Sequence, residues 1–158
     1  MEKSFRKSDG YNKQGFVDIL AGGKRWEVKN YPGKIGQTHI DRVCEGIERD
    51  LLHAIVDGGG DASNILEQME NIRILFRGSP AADQKGYLAL INEVEKKGRE
   101  VLGASRVKGI EPVVERFMEK IARAKDIVNK SETNPEFWKQ DDFINFFGKT
   151  GYHGDFKQ

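Results

Sequence analysis

The stretch from Phe16 to Tyr31 constrains the chain most, because it reads as two strands around a Gly-Gly pair. Val, Ile, Phe, Trp and Tyr gather on both sides of Gly22-Gly23, and such side chains suit a pleated surface. Glycine supplies the positive φ values that a two-residue type I′ hairpin turn needs. With those glycines as the turn, Ala21 is expected opposite Lys24, Leu20 opposite Arg25, Ile19 opposite Trp26 and Asp18 opposite Glu27. Lys29 lies two residues past Glu27, so its side chain leaves the same face. Asp18, Glu27 and Lys29 are therefore expected to converge.

Like charges directly opposite on a sheet destabilise it. Two carboxylates ~5 Å apart repel by roughly 3 kcal/mol at an effective dielectric of about 20. A shared proton relieves this, or a cation between them, or a different register. Magnesium suits such a place: it takes hard oxygen ligands, one or two carboxylates among them, and leaves other positions to water and phosphate. Lys29 adds a point charge for a phosphate oxygen or an attacking water.

Asp18 followed by Glu27-Val28-Lys29 on the next strand resembles the PD-(D/E)-x-K nuclease superfamily, the restriction-endonuclease-like fold. The resemblance implies that Asp18 and Glu27 bind magnesium or manganese, that the Val28 carbonyl joins them, and that Lys29 assists the water attacking a phosphodiester. It implies an endonuclease acting on DNA, with RNA, transfer RNA included, as the alternative substrate. Val17 stands where many members carry Pro. The family's helix ahead of the first strand has no room here, and Glu2 alone could supply its carboxylate. Gln37 occupies the mouth of the following helix, where several members place a Gln that touches substrate or water. No Tyr stands four residues on.

The formal net charge of +1 advertises neither nucleic acid nor membrane. Its distribution is uneven: residues 1–39 hold eight Lys and Arg against four Asp and Glu, leaving 18 basic against 21 acidic beyond. Lys24, Arg25 and Lys34, at the hairpin's turn and exit, are the candidates for phosphate contact. A solvated basic surface is the plainer reading of the same charges. Cys44 is the single cysteine, which rules out an internal disulfide. With three histidines and no His-x-x-x-His pair, a zinc cluster has no ligand set. Asp57 to Asp61 is glycine-rich but lacks the Lys-Ser/Thr of a phosphate-binding loop. No apolar run approaches the ~20 residues of a membrane helix. The charged N-terminus lacks the apolar core of a signal peptide. The lone cysteine fits the cytoplasm, and a cytoplasmic site of action is expected.

After the hairpin, Thr38 resembles a helix N-cap with Asp41 three residues on. Ile40, Val43, Cys44, Ile47, Leu51, Ala54 and Ile55 follow at helical spacing. Asp61 to Glu70 is a linker or short helix, and Ile72 to Phe76 a short apolar strand. Ser79-Pro80 and Glu111-Pro112 open two further helices, and Asn134-Pro135 opens one through Phe147. The fold class expected is α/β: one domain with a restriction-endonuclease-like core of hairpin, helix and strand over about residues 4–77. Additional helices reach about residue 147, and residues 148–158 form a loose tail. The long helix is expected to pack on the hairpin sheet.

Glu27-Val28-Lys29-Asn30 on a compact chain is also similar to nuclease domains at the C-termini of bacterial contact-dependent and Rhs-type polymorphic toxins. That likeness implies a cognate immunity protein as partner and the cytoplasm of a target cell as the place of action. The rival classes are a nucleic-acid-binding domain without catalysis and a protein-interaction domain whose Asp18 and Glu27 are simply solvated.

Overall fold

The computed structural model describes residues 19–21, 24–29, 33–76 and 79–134. Four α-helices dominate: α1 (Gln37–Asp57), α2 (Ala62–Glu70), α3 (Gln84–Ala104) and α4 (Glu111–Lys130), of 21, 9, 21 and 20 residues. Three short strands accompany them: β1 (Ile19–Ala21), β2 (Lys24–Lys29) and β3 (Ile72–Phe76). β1 pairs antiparallel with β2, and β2 pairs parallel with β3, in the order β1-β2-β3. The β2–β3 connection runs through α1 and α2, since parallel neighbours need a long crossover.

The core is helical. Among the described residues, every buried apolar side chain except Ile35, Ile72 and Ile74 belongs to a helix. α1 turns Ile40, Val43, Ile47, Leu51 and Ala54 inward, and α3 answers with Leu90, Ile91, Val94 and Leu102. α3 also packs on α4, and α2 bridges α1 to α4. Each fully buried Ile or Leu stabilises the fold by roughly 1.5–3 kcal/mol relative to exposure.

The expected α/β, restriction-endonuclease-like core is therefore corrected: the fold is helical. Strands of three, six and five residues offer too little apolar surface to cover amphipathic helices of 20 residues or more. α1 packs chiefly along α3, and the segments expected as additions to a core, α3 and α4, build most of it.

The helix ends follow local chemistry. α1 starts two residues earlier than the Thr38 cap implies. Gly36 is its N-cap, and the Gly36 amide donates to Nδ1 of His39 at 3.0 Å. The Asp61 carboxylate caps α2 by accepting from the Ser63 and Asn64 amides. Ser79 Oγ accepts from the Ala81 amide at 3.1 Å, but the turn it opens is a 3₁₀ helix, Pro80–Asp83, that precedes α3. Glu111 and Pro112 open α4. The helix expected from Asn134-Pro135 to Phe147, and the tail after it, lie outside the described residues apart from Asn134.

Between α2 and α4 lies a charged clasp. Arg116 Nε donates to Glu70 Oε2 at 2.8 Å, and Lys120 Nζ stands 3.1 Å from Oε1. The Lys120 side chain is 1% exposed, so Glu70 offsets a buried positive charge that would otherwise be strongly unfavourable. Burial pushes the Glu70 carboxyl upward, but the Arg116 hydrogen bonds and the Lys120 charge outweigh it and hold the carboxyl below its ordinary range.

Candidate active site

β2 is the middle strand of the sheet and carries Glu27-Val28-Lys29. On one side the antiparallel register is Ile19 opposite Trp26, Leu20 opposite Arg25 and Ala21 opposite Lys24. On the other, Glu27 stands beside Ile74, Val28 beside Leu75 and Lys29 beside Phe76. Lys29 follows the alternation that includes the buried Ile72 and Ile74 and is itself half-buried. An ammonium there keeps part of its stem in apolar surroundings while its head stays polar.

Of the residues expected at the site, Asp18 lies outside the described residues. Lys24, Arg25, Glu27 and Val28 are placed as positions of β2, and their side chains lie outside the described part. Lys34 is exposed in the link between β2 and α1. Gln37 is the first residue of α1 and exposed, and its Nε2 donates to Asp41 Oδ1 at 2.8 Å. This side-chain pair one helical turn apart uses the amide that was expected to reach a substrate. Among the described residues, no group of three His, Cys, Asp or Glu could hold a metal ion.

Asp83 positions this region and is absent from the residues the sequence singles out. Its Oδ2 accepts from the Ile35 amide at 2.9 Å and its Oδ1 from the Gly86 amide at 3.1 Å. One carboxylate thus caps α3 and ties down the link that leaves β2 for α1. The hydrogen bond from Ile35 holds the Asp83 carboxyl below its ordinary value, burial opposes this, and the Gly86 amide and the Lys34 charge add to the lowering. An Asp three residues before Gly86 at a helix start is legible as a cap. Its second bond, 48 residues back, has no local signal.

The lowered Asp83 carboxyl makes the stability of the fold depend on pH. A carboxyl with a depressed native pKa stabilises the fold above its unfolded pKa, about 3.9. The contribution is lost as pH falls through the unfolded and then the native value. Asp83→Ala is expected to cost about 1 kcal/mol at pH 7, the usual size of a lost cap. In urea titrations the gap between native and variant should close at acid pH. A gap that is constant from pH 7 to pH 2 would contradict the role of the ionised carboxylate.

A concavity of about 450 Å³ opens between α1 and α3 and contains Cys44. Burial, and then the Glu93 charge, push the Cys44 thiol up to about 11. It is a thiol, not a thiolate, at neutral pH and offers no nucleophile. No helix among the described residues is long and apolar enough to cross a membrane. Comparison with protein-family models, with curated proteins and with solved structures finds no match.

Proposed function

We propose that the chain is a divalent-metal-dependent phosphodiesterase acting on nucleic acid, with its chemistry in the hairpin. The observation that carries this reading is the β1/β2 register. Its three pairs run Ala21–Lys24, Leu20–Arg25 and Ile19–Trp26, and Asp18 and Glu27 are the next residues on the two sides. The reading rests on that local set and not on a family fold. Asp18, Glu27 and the Val28 carbonyl form a set of hard oxygen donors suited to magnesium or manganese. A cation bound there would supply charge stabilisation and a more acidic water. Glu27 and Asp18 hold the site, and Lys29 neutralises charge that builds on the phosphoryl group. Lys24, Arg25 and Lys34, at the turn and the exit of the hairpin, are the candidates for contact with the phosphate backbone, with DNA favoured as substrate.

Calorimetry tests the metal set. Asp18→Ala and Glu27→Ala should each weaken magnesium or manganese binding by tenfold or more, about 1.4 kcal/mol. Both variants should keep the helical circular dichroism, since the core lies in α1 to α4. Unchanged affinity in both would remove the site from the hairpin.

A further inference from the structure

Two hollows lie end to end along the junction of α1 and α3, sharing Glu48 and Glu100 in their walls. The one of about 450 Å³ is acidic, with Asp41, Glu45 and Glu93 besides the shared pair, against Lys96 and Lys97. The other, of about 260 Å³, is mainly apolar, with Leu52, Ile55, Val101 and Ala104. Leu52, 47% exposed, lines it, and Val56, 73% exposed, follows next to Ile55 along α1. These are the only large apolar side chains exposed among the described residues, and they lie one helical turn apart. Scattered single apolar residues on a surface need no explanation, but a pair beside an apolar hollow does.

The charges choose the occupant. Lys97 Nζ lies 3.4 Å from Glu100 and 3.9 Å from Glu48, so it offsets the shared rim. Glu45 and Glu93, both exposed, have no counter-ion among the described residues. The remaining negative charge repels phosphate, which disfavours nucleic acid and anionic lipid on this face. From Ile40 to Ile55 the furrow follows α1 for about 22 Å at the helical rise, which matches about four turns of a partner helix.

We propose that this furrow docks an amphipathic, basic helix of a partner protein. Apolar residues one turn apart enter the hollow lined by Leu52 and Ile55 and cover the exposed Val56, and Lys or Arg residues meet Glu45 and Glu93. The mode is helix-in-groove recognition with electrostatic complementarity. It is independent of the hairpin, since no residue of the proposed phosphodiesterase site takes part.

The probe is a fluorescein-labelled 18-residue helical peptide with Leu at i, i+4 and i+7 spacing and Lys elsewhere, beside a copy with Glu for Lys. Fluorescence anisotropy with the full chain should show binding of the Lys peptide and none of the Glu peptide. Leu52→Asn/Val56→Asn, which leaves the charge unchanged, should weaken binding by about tenfold or more. Glu45→Lys/Glu93→Lys should transfer preference to the Glu peptide. All four positions are solvent-facing or half-exposed, and circular dichroism checks that both variants fold. Binding of neither peptide, equal binding of both, or double variants that bind as the native chain does would overturn the proposal. So would sedimentation showing a dimer that Leu52→Asn/Val56→Asn dissociates, since the occupant would then be a second copy.

Discussion

Lys29→Met is expected to lower nucleic-acid cleavage by about a hundredfold or more, ~2.7 kcal/mol, the range for one electrostatic stabiliser. An ammonium is not a metal ligand, so divalent-metal affinity should stay within about twofold. Nucleic-acid affinity should change little, because one phosphate contact among several contributes a small share. The work assigned to Lys29 is in the transition state, where negative charge builds on the phosphoryl group and the water gives up a proton. Removal of such a group lowers turnover more than ground-state binding. Met retains the length and much of the stem packing of a half-buried side chain in the sheet's middle strand, so a loss of fold is not expected. Single-turnover cleavage beside calorimetric metal binding reads both quantities. Cleavage at nearly the native rate would make Lys29 a strand residue that merely balances Glu27.

Gly98→Ala is expected to destabilise the fold by roughly 1–3 kcal/mol, the usual cost of forcing volume into a packed core. A Cβ at Gly98 would overlap the ring of Phe117. Phe117 is fully buried between α3 and α4 and has no free direction in which to withdraw. Gly103, five residues further along α3, is the control, because a Cβ there meets nothing within 4 Å. Gly103→Ala should stabilise by up to about 1 kcal/mol, since alanine is the better helix former. The same propensity gain acts at Gly98, so an observed loss there is the overlap exceeding it. Urea denaturation of the two variants makes the comparison. Equal stabilities would contradict the close approach of α3 to α4.

Local order was legible in the sequence and global architecture was not. The apolar spacing of Ile40, Val43, Ile47 and Leu51 marks α1, and Ser79-Pro80 and Glu111-Pro112 mark two helix starts, though the first opens as a 3₁₀ turn. Spacing says which face of a helix is buried, but not against what. The stripe of α1 fits α3 as well as it would fit a sheet, and the longer surface won. Thr38 has the right chemistry for a cap, yet His39 Nδ1 takes the Gly36 amide and starts α1 earlier. Asp83 shows the same limit. Its bond to Gly86 is local, whereas its bond to Ile35 exists only once α3 and the link after β2 are side by side. At the candidate site, the order Glu27-Val28-Lys29 on one strand was legible from residue types alone. The pairing of Gln37 with Asp41 was not, because either residue alone reads as an ordinary polar position.

The most direct test is cleavage itself. Purified chain is incubated with plasmid DNA and, separately, with total transfer RNA, in magnesium, manganese or chelator, beside Glu27→Ala. The native chain is expected to cut one of the two substrates with either metal, to do nothing in chelator, and to lose this activity in Glu27→Ala. No cleavage of either substrate with either metal, or cleavage that survives Glu27→Ala undiminished, would contradict the proposed activity.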